Sequence, residues 1–406
     1  MKKNLILSLF LIFSSCNFPN ENKTEIIKKM TEEVTYLSSD MLEGRATGSE
    51  SEKKAANYIS EKFNSYGLIP KGTNGYLQYF NTPIKKNPHS EEIEKTLQGI
   101  NVIGYIDHQK KETIIIGAHY DHLGHGEFGS LYDGEKAIHN GADDNASGVS
   151  ILLNLAEALQ NNARYNYLFI AFSGEEHGLF GSSFYAKNPT IDLADVRFMI
   201  NFDMVGRLKK NKTLAINGVG TSSHWETLIN NSNQFNFILK TSDSGIGPSD
   251  HTSFYLQDIP SIHFFTGQHE DYHKPSDDVE KINFEGMYEI YQYVLEIIKT
   301  SSAIYKFDFI KTKSDSNSSP NFKVTLGVMP DYMFNGEGMR IDGISKGKTA
   351  EKYGFIKGDV VVKMGEIDVY DMQSYMIGLS KFEKGDSTLV KVKRNEIILE
   401  LPIIFQ

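Results

Sequence analysis

The sequence predicts an α/β fold, a mixed, largely parallel sheet sandwiched by helices, with a small C-terminal β/α domain appended. Two patterns and a length predict it. Between residues 101 and 304, short apolar runs alternate with helical stretches, the order that builds a sheet of parallel strands between helices. Residues 306–320 then turn polar and charged and read as a linker. A chain of 406 residues is too long for one ordinary core and suggests about two to four domains.

The elements follow in chain order. Residues 23–62 carry a helical pattern, and Asn57, Tyr58 and Ile59 with Phe63 keep an apolar stripe until Gly67 ends it. Inside that region Leu42-Glu43-Gly44-Arg45-Ala46-Thr47-Gly48-Ser49 is a turn-rich stretch. Strands are predicted at 101–106, 113–118, 167–172, 198–202 and 259–265, with a helix at 149–159 and a closing helix at 284–304. A second domain begins near Asn321 and runs to Gln406; apolar residues alternate at 389–392 and 397–401, as in closing strands.

Composition limits the function classes. A hydrophobic share of 40% and a charged share of 23% are ordinary for a soluble globular protein. The formal charge of −10 comes without any stretch where Lys and Arg cluster with aromatics, so no nucleic-acid partner is expected. At the N-terminus, Lys2 and Lys3 precede an apolar run at 5–13 that is too short to span a bilayer, which marks residues 1–15 as a signal peptide outside the fold. Cys16 is the single cysteine of the chain, so an intramolecular disulfide scaffold is ruled out. Phe13-Ser14-Ser15-Cys16 resembles the lipobox of bacterial lipoproteins. That resemblance implies an exported protein of the cell envelope, anchored to a membrane by lipid on Cys16, with 16–24 as a short linker. A plain signal peptide with an incidental cysteine is the alternative.

Seven residues fall where such a sheet places chemistry. His119 and Asp121 follow the run at 113–118, Glu175 and Glu176 follow 167–172, and Asp203 follows 198–202, all at strand C-terminal ends where open α/β sheets bind ligands. Asp144 lies in the loop entering the helix at 149–159, and His273 comes from a later loop. Two imidazoles and three carboxylates form a mixed nitrogen and oxygen donor set suited to Zn²⁺ and tolerable for Co²⁺ or Mn²⁺. One bridging Asp between two cations about 3.5–4 Å apart leaves two further ligands for each, which five residues supply. Taken singly, each of these side chains is more often a solvated loop residue; their conjunction in order is what carries the reading. His122, His125 and His139, in the Gly-rich segment after Asp121, are read as ordinary loop residues over the crevice.

The stretches Gly117-Ala118-His119-Tyr120-Asp121, residues 141–148, Ser173-Gly174-Glu175-Glu176-His177-Gly178, Asn201-Phe202-Asp203 and Tyr272-His273-Lys274-Pro275-Ser276-Asp277 resemble those of the M28 zinc aminopeptidases, over residues 24–302. The resemblance implies a zinc-exopeptidase-like domain at 25–305 holding two Zn²⁺. Asp144 bridges them, His119 and Asp203 complete one position, and Glu176 and His273 complete the other. It further implies that Glu175 is the general base and that peptide or protein N-termini are the substrate. Asp121, two residues after His119, is placed to hold the second nitrogen of that imidazole. Ser249-Asp250-His251 also resembles a family segment near the active site.

In the C-terminal domain at 321–406, Leu326-Gly327-Val328 resembles the carboxylate-binding loop of bacterial PDZ domains, and residues 350–361 resemble their central motif. A PDZ-like domain implies capture of an extended peptide C-terminus at a sheet edge. Three other readings stay open: a catalytically silent binding protein, a glutaminyl cyclase with one zinc, and a carboxypeptidase or dipeptidase of related fold.

Overall fold

A computed structural model describes residues 22–85, 93–312, 324–331, 334, 336–344, 347–370 and 372–405. The expected signal peptide and the lipid-anchoring Cys16 lie outside the described residues, as do residues 313–323 at the junction with the expected second domain.

The chain opens with α1 (Lys23–Leu37), a 3-10 turn at Asp40–Arg45 and α2 (Glu50–Ser65). Then come β1 (Ile69–Pro70), β2 (Leu77–Lys85), β3 (Ile93–Ile106), β4 (Thr113–His119), α3 (Gly148–Ala158), β5 (Asn166–Phe172), α4 (Phe180–Lys187) and β6 (Val196–Phe202). β7 (Thr213–Asn217), α5 (Trp225–Ser232), β8 (Ile238–Ser242), α6 (His251–Tyr255), β9 (Ser261–Phe265) and α7 (Phe284–Ser301) complete the large unit. Its nine strands form one sheet in the order β1-β3-β5-β4-β6-β9-β7-β8, with β2 paired to β3.

Strand parity explains the two covering layers. Ile114, Ile116 and Ala118 of β4 join Tyr167, Phe169, Phe198 and Ile200 in a core shared with α1, α2, α3, α5 and α7. Ile115, Leu168, Ile170 and Met199 point the other way and pack with Tyr185 of α4 and Phe254 of α6. Alternate residues of one strand therefore serve opposite faces, and β4 and β5 are buried at every position. Each such buried aliphatic side chain contributes about 1.5–3 kcal/mol.

The expected largely parallel sheet needs correction at its flanks. β5, β4, β6 and β9 are mutually parallel, as are β7 and β8, but β1, β2 and β3 are antiparallel additions and β7 meets β9 antiparallel. The physical reason is the hairpin of β2 on the long β3, which lies outside the alternating helix-strand pattern. The four parallel central strands end on one edge of the sheet, and that edge carries the site.

Residues 306–312, expected to belong to the linker, pack on the large unit. Phe307 stands against Trp225 and Phe198 with centroids 4.8 and 4.9 Å apart, the Ile310 amide donates to Thr221 O, and the Thr312 amide donates to the Tyr255 hydroxyl. The aromatic residue set among charged ones decides the outcome there.

The C-terminal strands form a separate antiparallel sheet: β10 (Val328–Pro330), β11 (Met339–Ile344), β12 (Val360–Met364), β14 (Ser387–Arg394) and β15 (Ile397–Ile404) in that order, with β13 (Ile367–Asp368) on β12. With α8 (Thr349–Lys352) and α9 (Met372–Leu379) it encloses its own core of Leu326, Met339, Ile341, Val361, Met364, Tyr375, Val390 and Val392.

Candidate metal centre

All seven predicted site residues come together at the C-terminal edge of the parallel strands. His119 ends β4 and Asp203 directly follows β6, the neighbouring strand, so register alone sets them side by side. His119 Nε2 lies 3.3 Å from Asp203 Oδ1 and 3.3 Å from Asp144 Oδ1. On the other side His273 Nε2 lies 3.3 Å from Asp144 Oδ2 and 3.1 Å from Glu176 Oε2. Each oxygen of Asp144 thus faces a different imidazole.

The loop holding Asp144 is over-determined. Both the Asp143 and the Asp144 amides donate to Asp277 Oδ2 at 3.0 Å. Asn145 anchors the next residue by donating to Phe202 O and accepting from the Gly148 and Met204 amides. The peptide bond between Asp144 and Asn145 is cis. Gly141 begins the loop at φ 56°, where a Cβ would meet Asp144 O at 2.1 Å and the His122 ring at 2.5 Å, so only glycine fits.

The imidazoles are oriented from behind. His119 Nδ1 donates to the main-chain oxygen of Asp121 at 3.2 Å, while the Asp121 carboxylate stands farther off at 3.7 Å. This refines the expected contact: the Asp121 side chain instead accepts from Thr47 Oγ1 and from the Glu175 amide. His273 Nδ1 donates to Gly129 O at 2.8 Å. Both rings therefore turn Nε2 toward the carboxylates, the nitrogen that a cation would take in place of its proton.

Electrostatics agree with a cation site. Burial opposes the charged forms, yet Asp203 and Glu175 lift the His119 pKa well above its usual range, and Glu176 does the same for His273. Against burial, the imidazoles around it, His122 foremost, hold Asp144 well below the carboxylate range, and His273 brings Glu176 down to about 2. Glu175 goes the other way. Burial and then the carboxylates of Asp203, Glu176 and Asp250 raise it well above the usual value, with His119 opposing.

The donor spacing passes a direct test. Ligands about 2.1 Å from a tetrahedral Zn²⁺ lie about 3.4 Å from one another. Three nitrogen-to-oxygen distances of 3.3 Å match that edge better than the ~2.8 Å expected of charge-assisted hydrogen bonds, and the fourth, His273 Nε2 to Glu176 Oε2 at 3.1 Å, lies midway. Two three-residue groups have donor atoms within 4.8 Å of one another, His119 with Asp144 and Asp203, and His122 with Asp144 and Glu176. His122 competes with His273 for the second position by proximity, but its Nδ1 donates to Glu176 Oε1 at 2.6 Å and stands 3.8 Å from Asp144.

His122, set aside in the sequence as an ordinary loop residue, is thus a correction: it braces Glu176. Two more functional side chains were missed in the turn-rich stretch and α2. Arg45, buried, donates to Tyr120 O at 2.8 Å, Asn140 O at 2.7 Å, Gly141 O at 3.1 Å and Leu37 O, tying the His119 strand end to the Asp144 loop. Burial brings its pKa down to about 10 while Asp121 and Asp144 oppose the drop. Glu52 accepts from the Gly48 and Ile100 amides and from Ser173 Oγ, two residues ahead of Glu175, and burial lifts it to about 7. The spacing Ser49-x-x-Glu52 at a helix start was the available signal; nothing local announces Arg45. In the segment Ser249-Asp250-His251, Ser249 accepts from Asn201, and burial raises Asp250 to about 7.

Known proteins resemble this chain in sequence and fold. Aminopeptidase YwaD of Bacillus subtilis is 29% identical over 215 residues, 50% of this chain and 43% of that protein. The chain thus spans less than half the length of that curated relative. A zinc aminopeptidase structure from Bacillus subtilis superposes with a TM-score of 0.55 at 20% identity, covering 68% of this chain and 95% of that one. A glutaminyl cyclase structure from Bacteroides thetaiotaomicron does so with a TM-score of 0.53 at 20% identity, over 70% and 99%. The chain shares the fold of these structures, and residues 101–298, which contain all seven site residues, match the model of peptidase family M28.

Proposed function

We propose that the chain is a two-metal aminopeptidase that hydrolyses N-terminal residues from peptides outside the cytoplasm. The split of Asp144 carries this reading: its two oxygens each lie 3.3 Å from a different imidazole, the arrangement of a carboxylate that bridges two cations. His119 and Asp203 would complete one position, and Glu176 and His273 the other. The donor chemistry suits Zn²⁺ and tolerates Co²⁺ or Mn²⁺.

When bound, the cation pair supplies a water of lowered pKa and polarises the scissile carbonyl. Glu175, in the pocket wall, takes the proton of that water and returns it to the leaving amine. Burial and the neighbouring carboxylates, which raise its pKa, favour its holding the proton between those two steps. Asp121 acts as a positioning residue, because its carboxylate receives the Glu175 amide and its main-chain oxygen orients His119.

Two further features belong to this reading. Export with lipid on Cys16 would place the enzyme in the cell envelope. The C-terminal sheet would be a PDZ-like domain whose Leu326-Gly327-Val328 turn leads into β10, the terminal strand of its sheet, where an extended peptide C-terminus can add.

Similarity to the glutaminyl cyclase structure favours a second reading, a one-zinc cyclase acting on N-terminal glutamine. A panel of aminoacyl amides, N-acetylated peptides and N-terminal glutamine peptides, assayed with chelator and after metal restoration, separates them. Two equivalents of metal and cleavage that requires a free amine are expected. One equivalent with ammonia release from glutamine peptides would transfer the chain to the cyclases.

A further inference from the structure

The pocket that contains Asp144, Glu175, Asp203 and His273 is walled in part by the second sheet. Val328 and Pro330 of β10 line it together with Phe265 and Tyr272 from the large unit. Both residues reach the pocket although the register of β10 on β11 shifts between Met329 and Pro330. Pro330 carries no N–H and offers no backbone donor to the pocket at that residue. The cavity measures about 140 Å³. That space includes the positions facing Asp144, Glu175, Asp203 and His273, so the part left for a side chain is smaller than the roughly 150 Å³ that holds one benzene-sized group.

We propose that the C-terminal sheet is a working part of the active site: Val328 and Pro330 close the apolar side of the pocket and select the size of the substrate's first side chain. This deepens the aminopeptidase reading and rests on it for the identity of that side chain. Medium apolar residues such as Leu and Met fill the space, Ala leaves it underfilled, and Trp does not enter. A methylene gained or lost in such a pocket changes selectivity by roughly 10- to 200-fold.

The test uses the full chain. Val328→Trp should lower kcat/KM for leucyl substrates at least tenfold relative to alanyl ones. Val328→Ala, which carries little folding risk, should shift preference toward phenylalanyl and tryptophyl substrates. Leu389→Trp, at an exposed position of β14 in the same sheet, should leave the ratios unchanged. An independent readout needs no turnover: in a Cys16→Ser background, Val328→Cys should react with N-ethylmaleimide at least tenfold more slowly once zinc and leucine hydroxamate are added, whereas Leu389→Cys should not respond. Unslowed labelling overturns the proposal, and so does an equal loss across all substrates in both Val328 variants. A wild-type protein that turns over no free-amine substrate but shows the protection would instead sink the aminopeptidase reading and leave the wall standing.

Discussion

The two halves of the metal centre are built by different means. His119 and Asp203 sit at the ends of adjacent parallel strands, their side chains 1% and 14% exposed, with Arg45 and Glu52 bonded to Tyr120, the residue after His119. His273 comes from a loop at φ 54°, its side chain is 14% exposed, and it depends on Gly129 O, itself in a loop. Sheet register preorganises one half, while loop-to-loop contacts assemble the other. Tight retention of metal is therefore expected on the strand side and readier exchange on the loop side.

Removing Asp144, the carboxylate proposed to bridge, tests both halves at once. Asp144→Ala should leave less than one equivalent of zinc by elemental analysis and no measurable turnover; two retained equivalents would reject the bridge. Glu175→Gln should hold both metals and lose roughly 10²- to 10⁴-fold in kcat, the usual range for a proton-transfer group. Near wild-type kcat in that variant would remove Glu175 from the mechanism.

Glu52 tests the strand-held half. Its carboxyl titrates near 4.5 when unfolded and about 7 when folded, so the native state binds the proton more tightly. Its stabilising contribution is full below about pH 4.5 and is lost as pH rises toward 7, by roughly 3 kcal/mol in the metal-free protein. Denaturant unfolding of Glu52→Gln across that range should show a pH profile flatter by this amount; identical profiles would locate the buried proton elsewhere. The smallest effect is expected on the loop side, where His122→Ala removes the brace of Glu176 and should weaken one of the two metals about tenfold in a chelator titration. Equal weakening of both metals would show that the halves are not independent.

Much of this was legible in the sequence because it is local. Runs such as 113–118 and 167–172 announce strands buried on both faces, and the ligands follow them at fixed short offsets. What escaped depends on long separations. The hairpin of β2 with β3 lies outside the helix-strand alternation, and β8, half-buried or exposed along its length, lacks the apolar run that marks a strand. Arg45 meets Tyr120 O and Gly141 O across 75 and 96 residues, and His122 meets Glu176 across 54. A basic residue in a turn-rich stretch and a histidine in a Gly-rich loop carry no periodicity that would mark such partners.

Arg45 bears on moving the site between chains. It lies ahead of residues 101–298, the stretch that matches the family, yet its guanidinium holds the carbonyls on either side of the ligand loops within that stretch. The matched stretch, moved into a chain that lacks such an arginine, would carry the ligands without their clamp. In this chain the two segments work as one unit, although some fifty residues of sequence separate them.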